Sequence, residues 1–148
     1  MKAKLTPFHL AIPVRDLESS RKFYGELLQC EEGRSTEHWI DYDFFGHQLV
    51  VHMKSGATAL IPPQDDPTNA AVDGDAVPIP HFGVVLELSD WETLANTLTR
   101  VGVEFVIAPK IRFRGQPGEQ ATLFLLDPSG NALEFKAFGD IETQLFAK

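Results

Sequence analysis

Residues 9–28 read HLAIPVRDLESSRKFYGELL, a stretch that opens as a strand and closes as a helix. Phe8, Leu10, Ile12 and Val14 alternate with His9, Ala11 and Pro13, so one strand face is apolar and the other carries a histidine. Asp16 then stands as an N-cap before Leu17, Phe23, Leu27 and Leu28, which fall near helical spacing. The same order returns 72 residues later in HFGVVLELSDWETLANTLTRVG, residues 81–102. There Phe82, Val84, Leu86 and Leu88 share a face opposite His81, Ser89 or Asp90 is placed to cap a helix, and Gly102 to stop it.

The strands after each helix extend the repeat. In the first half they are expected at residues 31–35, 38–45 and, after a turn at Gly46, 47–53. In the second they are expected at 104–107, 110–113, 121–126 and, after the turn DPSG, 132–138. The pattern predicts an α+β fold of two tandem βαβββ modules within one domain, 1–148: module 1 at about 5–55 and module 2 at about 80–140. Between them, at about 56–79, a stretch rich in Pro, Asp, Gly and Ala reads as a linker or lid loop.

Composition narrows the function. The chain has 148 residues, 43% hydrophobic, with 13 basic against 21 acidic side chains and a net charge of −8. No basic stripe interrupts that acidic balance, which argues against a nucleic-acid partner. No apolar run approaches the ~18 residues of a membrane span. Cys30 is the single cysteine, so no intrachain disulfide is expected, which suits a cytoplasmic location.

Strand parity gathers the chemistry on one face. In the strand at 47–53, Leu49, Val51 and Met53 lie opposite Gln48, Val50 and His52. In the last strand Leu133 and Phe135 lie opposite Ala132 and Glu134. His9, His52, His81 and Glu134 therefore all project away from the helix side of their strands. A carboxylate there is costly to bury without a cation, and one divalent metal would satisfy all four groups. Nitrogen and oxygen donors together suit Fe(II), Mn, Co, Ni or Zn, and two histidines with one carboxylate match non-haem Fe(II) sites.

These stretches, together with the closing LFLLDPSGNALEFKAF, resemble the vicinal oxygen chelate superfamily: glyoxalase I, extradiol dioxygenases, methylmalonyl-CoA epimerase and the bleomycin- or fosfomycin-resistance proteins. The resemblance covers residues 8–138 and implies a curved eight-stranded half-barrel sheet around a metal, with helices outside. It implies metal ligands at His9 on the first strand, His81 on the fifth and Glu134 on the eighth, with His52 at the fourth-strand position. It also implies a homodimer, since single-chain members of this size commonly dimerise, some building each site from both copies.

In an extradiol dioxygenase-like reading, which the histidine-rich set favours, Fe(II) binds a substrate with vicinal oxygens, and His52 and Glu134 are the catalytic residues. Such enzymes usually carry tyrosine ten residues before the carboxylate; here that residue is Phe124. The alternatives are a glyoxalase-like isomerase or lyase, with Zn, Ni or Co, and a non-catalytic small-molecule binder. Arg112 or Arg114 is a candidate fork for a substrate carboxylate. Gln120, Thr122 and Phe124 share a face and are expected to line the site with Trp39 and Tyr42 as aromatic walls.

Overall fold

The computed structural model describes residues 4–55 and 70–148. Its contacts divide the chain into two units, Met1–Ala59 with Asp127–Ser129, and Leu60–Leu126 with Gly130–Lys148. Each unit holds a four-stranded mixed sheet with the same connectivity.

In unit 1, β1 (His9–Val14) leads into α1 (Leu17–Ser20) and then β2 (Glu31–Ser35), β3 (Trp39–Phe44) and β4 (His47–Met53). The sheet order is β1-β4-β3-β2, with β1 parallel to β4 and the other pairs antiparallel. Asp16 caps α1, its carboxylate accepting from the Ser19 amide at 2.7 Å. The helix continues over Arg21–Leu27 with π winding, and its C-terminal bond runs from the Leu28 amide to the Phe23 carbonyl. That wider turn brings Tyr24 fully into the core and leaves Leu27, expected there, only half-buried. Ile12, Val14, Ile40, Tyr42, Phe44, Leu49 and Val51 are buried on one sheet face, as alternation requires. Phe8 departs from that pattern, being 66% exposed just before β1 begins.

In unit 2, two short strands precede the repeated motif: β5 (Ala70–Val72) and β6 (Asp75–Val77) form an antiparallel hairpin. Asp73 and Gly74 turn it with φ of 44° and 83°, the left-handed pair that suits a two-residue loop. This part of the expected linker is thus regular structure; residues 56–69 lie outside the described residues. The motif proper is β7 (Phe82–Glu87), α2 (Leu88–Arg100), β8 (Phe105–Arg112), β9 (Gln120–Leu126) and β10 (Ala132–Phe138), in sheet order β7-β10-β9-β8. A short α3 (Ile141–Gln144) comes last.

Two expectations are corrected by these elements. The strands read at 104–107 and 110–113 are one strand, β8, whose pairing with β9 shifts register twice, once at Val106 and once across Ala108 and Pro109. A proline fits because β8 is an edge strand. The cap of α2 is Glu87, without a side-chain hydrogen bond, so Ser89 and Asp90 lie inside the first turn. Gly102 does come after the helix at φ 81°, as a stop requires. Trp91, Ala95 and Leu98 form the buried stripe of α2, and the Trp91 indole N–H donates to the Phe135 carbonyl at 2.9 Å. Leu123, Leu125, Leu133, Phe135 and Ala137 are wholly buried.

Candidate functional site

The register of unit 2 sets the site out rung by rung. Glu134 of β10 pairs with Gly83 of β7 and Phe124 of β9, and Phe124 pairs in turn with Ile107. The next rung runs Lys136, Thr122, Lys110, and the one beyond includes Gln120 and Arg112. Paired residues share a face, so all of these side chains lie on one side of the sheet, opposite the Leu123, Leu125, Leu133 and Phe135 set.

Gly83 is required where it stands. A Cβ there would lie 1.5 Å from the Glu134 carbonyl oxygen, so any side chain would force β7 and β10 apart. His81 stands one position ahead of β7.

His81 and Glu134 meet. The His81 Nε2 lies 3.1 Å from Glu134 Oε2, with Glu134 7% exposed. The other ring nitrogen, Nδ1, donates to the Pro78 carbonyl at 2.6 Å. A carbonyl only accepts, so Nδ1 carries a proton, and the Nε2 contact with the carboxylate is a hydrogen bond only when Nε2 carries a second one. The second Glu134 oxygen, Oε1, accepts from the Thr122 hydroxyl at 2.8 Å and has Lys136 Nζ at 3.5 Å. Burial pushes the Glu134 carboxyl up, but the His81 bond, the Lys136 charge and the Thr122 bond outweigh it and hold it below its ordinary value. The Glu134 bond raises His81 above its ordinary value, against the opposing pull of burial.

The donor chemistry fits a divalent metal. Two ligands about 2.1 Å from one ion stand roughly 3–3.5 Å apart for angles between a right angle and the tetrahedral one, a range that includes the 3.1 Å between His81 and Glu134. Ligating histidines regularly donate their second ring N–H to an oxygen, as His81 does. His9 of unit 1 shows the same device, with Nδ1 2.7 Å from Gln48 Oε1, its register partner. Among the described residues, no group of three or more His, Cys, Asp or Glu side chains is assembled for a metal.

Unit 1 corrects the place given to His52. Gly83, two residues after His81, pairs with Glu134; Ala11, two residues after His9, pairs with Val50. The counterpart of Glu134 is therefore Val50, which is buried. His52 pairs with Pro13, four residues from the place opposite His9, or roughly 13 Å along the strand. It shares the face of His9 but not its neighbourhood, and it is exposed beside Trp39.

The remaining candidates divide. Thr122 bonds Glu134, and the Phe124 ring packs edge-on against His81 at 4.9 Å. Arg112 is 3% exposed, with its guanidinium carbon 5.6 Å from the centroid of the same Phe124 ring. The Gln120 amide donates to the Gly118 carbonyl at 3.1 Å. Trp39 is half-buried under the Arg34 guanidinium. Tyr42 is not an aromatic wall: it sits on the helix side, 1% exposed, with its ring 5.6 Å from Tyr24. Arg114 lies past the end of β8, exposed, and lines a groove with Trp91 and Glu92 of α2. Lys136 joins the site without having been singled out by its sequence, although strand alternation from Glu134 is enough to place it. Asp75 joins it from a hairpin that composition alone marks as loop, and the Pro78 carbonyl from the residue that follows.

A family model of the Glyoxalase/Bleomycin resistance protein/Dioxygenase superfamily matches residues 6–135. Among solved structures, a glyoxalase/bleomycin resistance protein/dioxygenase from Alicyclobacillus acidocaldarius is 32% identical, with 97% of this chain and 98% of that one covered at a TM-score of 0.72. The fosfomycin resistance protein FosX from Listeria monocytogenes is 16% identical, covering 97% and 99% at a TM-score of 0.64. Lactoylglutathione lyase from Agrobacterium tumefaciens is 10% identical, covering 93% and 97% at 0.60. A search of curated proteins gave no match. No helix among the described residues is long and apolar enough to cross a membrane. With its repeated units, its matched histidines and a family model spanning nearly its whole length, the chain belongs to the glyoxalase/bleomycin resistance protein/dioxygenase superfamily.

Proposed function

We propose that the protein is a metal-dependent enzyme, extradiol dioxygenase-like, acting on a small substrate that presents vicinal oxygens. The carrying observation is the His81–Glu134 pair, with Nδ1 tied back on Pro78 and Nε2 facing a carboxylate oxygen. His81 and Glu134 would hold the metal with His9, supplied by the same chain or by a second copy in a homodimer. Fe(II) is the favoured ion, with Mn, Zn, Ni and Co as alternatives. A metal held by three protein groups supplies Lewis acidity and open positions for a chelating substrate and, as Fe(II), for dioxygen.

The chain's own residues set the conditions. Thr122 and Lys136 engage Oε1 of Glu134 and so keep Oε2 turned toward His81. Phe124 walls the imidazole with an apolar ring, which limits water there and strengthens each charge interaction. Val50 supports a three-ligand set over the two-carboxylate set of an isomerase, since it offers no donor at the fourth-strand position.

A second reading, a glyoxalase-like isomerase or lyase, is favoured by Phe124, whose ring lacks the hydroxyl usual in ring-cleaving relatives. The test is metal analysis of anaerobically purified protein, then oxygen uptake across a panel of catechols. Near-stoichiometric Fe or Mn with substrate-dependent uptake supports the dioxygenase. A Zn- or Ni-loaded protein without uptake favours the second reading, and failure to bind any of these ions ends both.

A further inference from the structure

Arg112 is buried at 3% exposure on the face that carries His81 and Glu134, and its charge is only partly met. Its Nη2 reaches Asp75 Oδ2 at 3.3 Å, and Lys110 Nζ reaches the same oxygen at 2.9 Å. Two cations thus share one carboxylate oxygen. The Arg112 Nε is buried and finds no acceptor among the described residues. Nε and Nη2 form one edge of the guanidinium, the edge that grips a carboxylate through two parallel bonds. Half of that fork is engaged and half is not.

The carboxylate that occupies it comes from the β5–β6 hairpin. Val72 and Val77 pack on Ile107 and Phe124, and Asp73 accepts from the Phe113 amide at 3.1 Å. The hairpin is therefore seated on this face, with Asp75 delivered to the two cations. Phe124 stands between the groups, its ring 4.9 Å from the His81 ring and 5.6 Å from the Arg112 guanidinium carbon. A buried guanidinium with an unmet donor is costly unless something takes it up.

We propose that Lys110 and Arg112 form an oxyanion-binding subsite of this face, and that Asp75 is an internal ligand which the acidic group of a substrate displaces. The substrate class is then a small acid: a carboxylate or phosphate at one end, vicinal oxygens at the other, and about one aromatic ring between them. This rests on the reading of the His81–Glu134 face as the reactive one. Displacement forms two hydrogen bonds to the incoming anion through Nε and Nη2, breaks those of Asp75, and moves no proton.

The experiment tracks the Arg112 Nε–H resonance of 15N-labelled, metal-free protein, assigned with Arg112→Lys. Inorganic phosphate and sodium acetate are titrated separately at constant ionic strength. The expected result is a saturable shift of that resonance, with affinity at least tenfold tighter in Asp75→Asn; in Arg112→Lys, where that resonance is gone, the backbone amides of Lys110 and Gln120 are expected to show no saturable shift. The tighter-binding anion names the acidic group. An Arg112 resonance that neither anion moves overturns the proposal, as does an Asp75→Asn variant, folded by its melting temperature, with unchanged affinity. Mn²⁺ binding measured on wild type and His81→Ala keeps the two readings apart. Metal binding without anion binding removes only the subsite, whereas anion binding without metal removes only the metal centre.

Discussion

Units 1 and 2 share sheet order, crossover helix and a histidine at the head of the parallel pair, yet they differ one rung further in. Unit 1 sets Ala11 against Val50, and unit 2 sets Gly83 against Glu134. In unit 1 the position opposite Ala11 is apolar, and the rung's carboxylate, Asp41, stands one strand further across. In unit 2 a carboxylate takes the place, steadied by Thr122 and Lys136, and the glycine opposite admits its backbone. The same scaffold occurs twice, and the histidine–carboxylate contact stands in one copy.

The largest test of that contrast is metal affinity. Glu134→Ala is expected to lose more than the roughly 10–100-fold that removal of an outer-shell partner costs. Val50→Ala is expected to leave metal affinity unchanged and to cost roughly 1–2 kcal/mol of stability by emptying a buried site. Titration calorimetry with Mn²⁺ and urea unfolding read the two effects. Equal metal loss in both variants would erase the distinction between the units.

The facing positions give the next largest effect. Gly83→Ala drives a methyl into the Glu134 backbone and is expected to destabilise by about 3 kcal/mol or more, at the upper end of overpacking costs. The mirror change, Ala11→Gly, is expected to cost only about 0.5–1 kcal/mol in backbone entropy. Urea midpoints of both variants measure the asymmetry.

The helices of the two units each fix a polar aromatic tip, and here near-equality is expected. Tyr24 donates to Asp127 at 2.8 Å within unit 1, and Trp91 donates to the Phe135 carbonyl in unit 2. Tyr24→Phe and Trp91→Phe are each expected to lose about 1–2 kcal/mol, seen as lower melting temperatures. The smallest effect concerns the hairpin. The Lys110 hydrogen bond, more than burial opposes, holds Asp75 below its ordinary value. A carboxylate so depressed stabilises the fold above its unfolded pKa, near ~3.9, and that contribution disappears as pH falls through the folded-state value. Comparing wild type with Asp75→Asn from about pH 5 downward is expected to show a difference below about 1 kcal/mol, present at the upper end and shrinking as pH falls below the unfolded value.

The sheets are legible in the sequence because alternation is a local property. Leu49 and Val51 against Val50 and His52, or Leu133 and Phe135 against Glu134, declare a face without reference to any partner strand. Parity does not declare a rung. His52 has the right face and stands four residues from the place opposite His9, a separation set only by how β4 slides along β1. Tyr42 fails as an aromatic wall on parity alone, since it cannot share a face with Trp39. The hairpin is legible too: Asp73-Gly74 between Ala71-Val72 and Asp75-Ala76-Val77 is a strong two-residue turn signal, masked by the Pro-rich and Ala-rich composition around it. The Pro78 carbonyl carries no such signal, because any residue offers that acceptor.

Pro109 and the double register shift in β8 have a consequence for self-association. An unbroken outer strand presents a row of free amide and carbonyl groups that can template a neighbouring chain into a fibril. On β8 the row lacks the Pro109 N–H and the register shifts beside it, which works against such templating. Exchange of Pro109 for a β-branched residue would restore the row and invite polymerisation along that border.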